Sequence, residues 1–182
     1  MQIEGKYLIH SPRERVWEAL NDADILRQCI PGCESLTRKS DTELDADVVA
    51  KIGPVKAKFK TRVKLENIQV PESYTIAGSS KAGNAGFGRG KADVRLEPAG
   101  GATELSYTAD FKVGGKLAQV GSRLVAGATR KTADDFFGSL ASLLDPKAEK
   151  VEDDAGSGGA AVKWLAGSAV ALVLLAWWLL SG

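Results

Sequence analysis

The chain has 182 residues, of which 44% are apolar and 26% charged, and these globular proportions exclude wholesale disorder. Its formal net charge is only +1, whereas a general nucleic-acid binder needs a large basic excess, so no nucleic-acid partner is expected. One histidine and two cysteines are too few for a cysteine-rich disulfide scaffold or for most metal sites built from those residues.

The chain begins with a predicted strand over residues 3–9. A helix start follows, because Ser11 can accept a hydrogen bond from the amide three residues on, Pro12 suits the first helical position, and Glu14 can reach back to the Ser11 amide. A second short helix is predicted over residues 22–28.

Two adjacent segments, residues 43–52 and 55–65, alternate between apolar and polar residues and predict a β-hairpin. A two-residue turn at Gly53-Pro54 pairs residues whose numbers sum to 107. That single register matches apolar residues on one face and opposite charges on the other. The pairs are Leu44–Val63, Val48–Phe59 and Ala50–Ala57 on the apolar face, and Glu43–Lys64, Asp45–Arg62 and Asp47–Lys60 on the charged face.

Three more strands are predicted over residues 73–81, 88–97 and 103–113, followed by a long helix over residues 117–144. The helix has one apolar face at i, i+3, i+4 spacing. That face comprises Leu117, Val120, Leu124, Ala128, Thr132, Phe136, Leu140 and Leu143. Strands that run together, with helices segregated from them, indicate an α+β fold in which a curved antiparallel sheet wraps around the long helix.

The residues predicted to face the interior are unusually small, with glycine and alanine prominent on the strand over 88–97. Either the sheet collapses tightly onto the helix, or a cavity for a hydrophobic small molecule remains, and we favour the cavity. The predicted lining is Val48, Phe59, Gly90, Ala92, Val94, Tyr107, Ala109, Phe111, Val120, Leu124, Ala128 and Phe136.

No catalytic constellation is evident, and no catalytic residue or metal ligand is assigned. His10, the single histidine, has no visible nucleophile or carboxylate partner and is interpreted as structural. Cys29 and Cys33 lack the two further ligands of a zinc site. The glycine-rich segment 83–91 lacks the Gly-Lys-Ser/Thr ending of a P-loop and is interpreted as a hairpin tip over a cavity mouth.

Five cations alternate along residues 56–64 and suggest a binding surface for anions. The predicted partner strand places carboxylates opposite three of them, so a solvated ladder of ion pairs is the favoured interpretation. Lys51, Lys56 and Lys58 remain unbalanced near the turn, where they could meet anionic lipid headgroups or an acidic partner.

The end of the chain predicts a membrane anchor. Residues 164–180 carry no charge, and as a helix they would be about 26 Å long, close to the hydrocarbon thickness of a bilayer. Trp164 lies at one end of this stretch and Trp177 and Trp178 near the other, as expected at membrane interfaces, and Lys163 can reach the near headgroups. Whether the helix spans the bilayer or lies in it stays open.

These features predict three parts: a ligand-binding domain over residues 1–145, an acidic, glycine-rich linker over 146–161 and an anchor helix over 162–182. The N-terminus has no basic stretch followed by an apolar one, so no secretory signal is expected. We therefore expect the domain at the cytoplasmic face of the cell membrane, held by a single-pass C-terminal anchor.

Three stretches carry a family resemblance: Ser11-Pro-Arg-Glu-Arg-Val-Trp-Glu-Ala-Leu-Asn-Asp, Cys29-Ile-Pro-Gly-Cys-Glu-Ser-Leu and Gly88-Arg-Gly-Lys-Ala-Asp-Val. Over residues 1–145 the chain resembles the carbon monoxide dehydrogenase CoxG family, within the Bet v 1-like, START-like (SRPBCC) superfamily. The resemblance implies a helix-grip fold, in which a seven-stranded sheet surrounds a long C-terminal helix. It also implies an accessory protein that helps to attach a molybdenum-containing carbon monoxide dehydrogenase to the membrane.

The cavity and the anchor together predict a carrier in respiratory electron transfer. It would bind a membrane lipid such as a quinone, menaquinone or ubiquinone, and present it to the dehydrogenase as electron acceptor, with no covalently bound cofactor. The first alternative is a pure tether that recruits the enzyme without transferring a ligand. The second is an enzyme, a hydrolase or cyclase of the same fold class, for which His10 and Tyr107 are the few polar candidates.

Overall fold

The computed structural model describes residues 1–144, which form seven strands, four helices and one 3₁₀ turn. The strands are β1 (Gln2–Ile9), β2 (Cys33–Arg38), β3 (Glu43–Ile52), β4 (Val55–Gln69), β5 (Ser73–Lys81), β6 (Phe87–Ala99) and β7 (Ala102–Gly114). The helices are α1 (Arg13–Leu20), α2 (Ala23–Cys29), α3 (Lys116–Val120) and α4 (Ser122–Leu144), and the 3₁₀ turn is Gly83–Ala85.

The strands form one antiparallel sheet in the order β1-β7-β6-β5-β4-β3-β2. This confirms the predicted α+β class and the seven strands that the family resemblance implied. The residue pattern alone predicted six strands and missed β2. That strand has no buried residue and a register shift between Cys33 and Ser35, so it lacks the alternation that identifies a half-buried strand.

The predicted hairpin is confirmed in every pair. β3 and β4 are joined from Glu43–Lys64 to Ile52–Val55 in the register that sums to 107. On the charged face Asp45 accepts from Arg62 at 3.2 Å, but Asp47 binds Lys58, at 3.0 Å, instead of Lys60. Lys58 is therefore already paired, contrary to the expectation that it stays unbalanced.

The predicted long helix is broken at Gly121, and this changes its buried face. Gly121 has a φ of +98°, in the left-handed region, so α3 ends there and α4 begins at Ser122. The break shifts the buried face by one residue. Leu124 and Leu143 are 58% and 45% exposed instead of buried, while their neighbours Val125 and Leu144 are buried.

The predicted capping box at α1 is wrong. The helix begins at Arg13, so Pro12 stands at the cap position, and no side chain caps the first turn. Ser11 lies one residue too early and is buried. Its carbonyl accepts a hydrogen bond from the Thr103 hydroxyl at 2.7 Å.

The antiparallel topology gives the domain two ends. At one, the β3–β4 turn touches α3 and the start of α4, and the backbone at Gly86 packs against Gly115; we call residues 51–57, 81–90 and 112–123 the α3 end. At the other, α1 and α2 meet the remaining turns, as in the 3.5 Å ion pair between Arg13 and Glu72. We call residues 10–28, 38–43, 66–72 and 97–104 the α1–α2 end.

Candidate functional site

An apolar pocket of about 60 Å³ lies toward the α1–α2 end, between the two short helices and strands β2 to β5. Two of its residues, Asn21 and Arg38, are polar, and both are half-buried. The rest of the lining is apolar: Leu20, Leu26, Ile30, Leu36, Leu44, Ala46, Val63, Leu65, Tyr74 and Ile76. The arrangement of an apolar floor with a few polar groups at the side is typical of sites for small hydrophobic molecules.

The roof of the pocket is held by the two ends of α2. At its start, the Asp22 carboxylate accepts hydrogen bonds from the amides of Asp24, at 2.8 Å, and Ile25, at 3.0 Å. At its end, the Val49 amide donates to the Gly32 carbonyl at 2.9 Å. Gly32 has a φ of +70°, and a Cβ at this position would overlap the Val49 carbonyl. This backbone contact therefore requires glycine and sets the height of α2 above β3.

Arg38 forms the charged side of the pocket. Its guanidinium donates to the backbone carbonyls of Asn21 and Asp41, the latter at 3.0 Å, and so joins the α1–α2 connection to the β2–β3 turn. A guanidinium has five N–H donors, so these two bonds leave capacity for an oxygen atom of a ligand. A carbonyl or carboxylate group on an otherwise apolar molecule is the chemistry that would match.

Tyr74 forms part of the wall between the pocket and the core. Its ring makes an edge contact with Trp17, with 5.2 Å between the ring centroids. Burial raises the pKa of the Tyr74 hydroxyl well above its ordinary value, so this group stays neutral at physiological pH. Trp17 is a natural fluorescent reporter for this wall.

The lining predicted from the sequence lies mostly in the closed core. Gly90, Val120 and Ala128 are half-buried, and Leu124 is exposed because of the helix break. None of the predicted residues belongs to the apolar pocket. The remaining members are buried side by side: Val48, Phe59, Ala92, Val94, Tyr107, Ala109, Phe111 and Phe136.

One buried polar group stands out beside this set. Ser80 pairs with Gly88 across β5 and β6 and is 1% exposed, and its hydroxyl has no hydrogen-bond partner among the described residues. An unpaired buried hydroxyl costs about 1–3 kcal/mol. A ligand that reached this part of the interior with an oxygen atom would recover part of that cost.

The polar candidates for catalysis are dispersed. Tyr107 lies over Gly5, and burial raises its pKa; the neighbouring Tyr7 donates to Asp134 at 2.9 Å. His10 is exposed at the chain position after β1, so the structural role expected for it is not supported by burial. Within residues 1–144 no group of three or more His, Cys, Asp or Glu side chains is placed to hold a metal ion.

The two cysteines are free thiols. Cys29 is buried and Cys33 half-buried, and burial raises the pKa of each from its ordinary value of 9.0 to about 11. Thiolates are the reactive form of cysteine, so both groups are unreactive near neutral pH.

Sequence reasoning missed the pocket although part of its signal was available. The confirmed register already placed Leu44 and Val63 on the inward face, and Tyr74 and Ile76 follow on the next strand. The prediction instead followed the small residues, which the core fills. Arg38 could not be found, because it lies on the strand that the residue pattern did not reveal.

The predicted anchor residues Lys163, Trp164, Trp177 and Trp178 lie outside the described residues, as does the whole of the predicted linker. Among residues 1–144 there is no helix with the length and apolar character that crossing a membrane requires.

Solved structures share this fold. A conserved protein from Geobacillus kaustophilus is 29% identical, with a TM-score of 0.76 over 80% of this chain and 96% of that chain. The aromatase/cyclase Zhui from Streptomyces sp. R1128 is 12% identical, with a TM-score of 0.61 over 81% of this chain and 95% of the other. Ara h 8.0201 is 13% identical, with a TM-score of 0.57 over 79% and 97%.

The last two likenesses show a Bet v 1-like fold and nothing of activity, since their identities are low. No curated protein sequence matches the chain. The sequence model of the carbon monoxide dehydrogenase component CoxG matches residues 5–145, which includes all of the domain from the middle of β1 to the end of α4. With that match and this fold, the chain belongs to the CoxG family.

Proposed function

We propose that this chain is a non-catalytic accessory protein that binds a hydrophobic ligand and couples a molybdenum-containing carbon monoxide dehydrogenase to the cytoplasmic face of the membrane. The family name supports the association with carbon monoxide dehydrogenase. The observation that carries the ligand-binding part is the apolar pocket with Arg38 at its side. The predicted anchor helix would supply the membrane attachment.

A quinone, menaquinone or ubiquinone, fits the chemistry of this pocket. Its isoprenoid tail needs an apolar lining, and its ring carbonyls can accept hydrogen bonds from the Arg38 guanidinium. Burying a long prenyl tail contributes on the order of 10 kcal/mol relative to water, at about 25 cal/mol per Å². The same tail is nearly as favourable in the bilayer, so exchange between protein and membrane is reversible.

The pocket must expand to accept such a ligand. Its volume of about 60 Å³ holds only a few carbon atoms, whereas sites for drug-sized molecules are typically about 300–1,000 Å³. We infer that α2 swings outward about the Gly32 turn and that the ligand then extends past Ile76 toward Ala92, its partner on β6. This path leads into the small-residue lining predicted from the sequence and toward Ser80.

The test is saturable binding of a soluble menaquinone analogue to the full-length chain, measured by the quenching of Trp17 fluorescence. A Trp17→Phe variant gives the signal of the other tryptophans, which is subtracted. Ala46→Leu fills the pocket and should weaken binding at least tenfold, while Ala57→Leu, on the same sheet face but outside the lining, should not. Equal binding by both variants, or no saturable binding by the native chain, would refute the proposal.

A pure tether is the second candidate, and the closed core favours it. Eight of the residues expected to line a cavity are instead packed together. Deleting residues 160–182 and introducing Ala46→Leu separate the two functions in cells that depend on carbon monoxide oxidation. A tether loses activity only with the deletion, and a carrier loses it with either change.

An enzyme is the third possibility, because an aromatase/cyclase shares the fold. The dispersed polar groups described above speak against it. Turnover of a small substrate by the purified chain, abolished by His10→Ala or Tyr107→Phe, would reverse this judgement.

A further inference from the structure

We propose that the α3 end of the domain is a docking surface for an anionic membrane, a contact separate from the predicted anchor helix and independent of ligand binding. Its three segments come from distant parts of the chain: the β3–β4 turn, the connection from β5 to β6, and the connection from β7 through α3 to α4. The fold brings them together, so the surface could not be recognised from any single stretch of sequence.

The charge of this surface has one sign. Residues 51–57, 81–90 and 112–123 contain seven cations and no carboxylate. All seven side chains are exposed: Lys51, Lys56, Lys81, Arg89, Lys112, Lys116 and Arg123. The next cation along β4, Lys58, lies outside this surface and is held by the carboxylates of Asp47 and Glu34. Each cation close to an anionic bilayer favours binding by about fivefold, so the set is sufficient for docking.

Exposed apolar side chains lie among these cations. Phe87 is 48% exposed and covers the glycine opposite it on β7, Gly114. Leu124 is 58% exposed because the break at Gly121 turns it away from the core, and it lies close to Gly53 in the β3–β4 turn. Cations surrounding a bulky aromatic and a leucine match the headgroup–acyl boundary of a bilayer better than they match a water-soluble acidic protein.

The opposite end of the domain has the opposite charge. The α1–α2 end contains ten carboxylates and five cations. An anionic bilayer therefore attracts one end and repels the other, which fixes the orientation of the domain as well as its binding. The asymmetry is invisible in the net charge of +1.

The test uses the full-length chain in nanodiscs made of phosphatidylcholine alone or with added phosphatidylglycerol, and measures amide hydrogen exchange. We expect exchange in residues 83–90 and 114–124 to slow by about fivefold or more only in the anionic discs. About 0.5 M salt, which shortens the screening length to about 4 Å, should abolish this protection.

Two charge-matched variants identify the surface. Lys51→Glu/Lys56→Glu/Lys116→Glu should lose the protection, whereas Arg15→Glu/Arg27→Glu/Lys39→Glu, the same charge change at the α1–α2 end, should keep it. Phe87→Ser/Leu124→Ser should reduce it without changing the far-ultraviolet circular dichroism. All reversed residues are exposed, so both triple variants should fold.

Protection that is equal in neutral and anionic discs, or equal in the two triple variants, would overturn the proposal. So would protection of the same segments by an acidic protein partner but not by lipid. A loss of quinone binding leaves these measurements unaffected, so failure of the proposed function and failure of the docking surface are distinguishable.

Discussion

Single residues decide how the pocket is roofed. Gly32 lets the Ile-Pro-Gly segment pass against the β3 backbone, and Arg38 joins the two loops beside the pocket. The first belongs to the stretch that resembled the family most specifically, and its physical reason is now visible: a side chain there would collide with the Val49 carbonyl. No alternation or periodicity reports such a contact, so sequence reasoning recorded the motif without its cause.

Gly32→Ala should destabilise the domain by more than its backbone strain alone. A left-handed residue other than glycine costs about 1–2 kcal/mol, and the collision with Val49 adds to it, so we expect about 3 kcal/mol in total. Gly100→Ala is the matched control, since Gly100 has a φ of +59° and no atom near its Cβ position. It should cost about 1 kcal/mol by urea unfolding. Equal losses would show that the contact is soft.

Elements were predicted with uneven success, and the reason is physical. The β3–β4 register was predicted in full because two faces constrained it at once, and a shift by one residue would bury charges. The strand β2 was missed because an edge strand with half-exposed residues needs no apolar alternation. The α4 face was displaced because periodicity was extrapolated through Gly121, whose backbone conformation interrupts the helix.

The displaced face gives a direct test at the level of the helix. Val125→Ala removes two buried methyl groups and should cost about 2 kcal/mol, whereas Leu124→Ala, at the exposed neighbour, should change stability by less than about 0.5 kcal/mol. An unbroken helix with the periodicity predicted from the sequence would reverse this order. The measurement is the free energy of unfolding in urea.

At the scale of the whole molecule, the linker length limits which end of the domain can reach the membrane. Helix α4 has 23 residues and is about 34 Å long, and it carries the chain from the α3 end to the α1–α2 end. The 16 linker residues 146–161 span at most about 55 Å when extended, enough to return past the domain. The proposed anchor and docking surface can therefore bind the same bilayer.

Deleting residues 148–157 should uncouple the two contacts. The six remaining linker residues reach at most about 20 Å, less than the length of α4, so the lipid protection of residues 83–90 should disappear while the chain stays in the nanodisc. Replacing the deleted residues by ten of glycine and serine should restore it. Protection that survives the deletion would mean that the domain reaches the bilayer in another orientation.

The placement of Arg38 and its pocket at the α1–α2 end has a consequence for traffic through the protein. A domain that stands on lipid with its basic pole holds this opening roughly 30 Å above the headgroups, facing the water and any soluble enzyme waiting there. Uptake from the bilayer and release to that enzyme would then take place in two opposite postures. A tumbling step between them, rather than the escape of the cargo from its groove, would set the pace of each cycle.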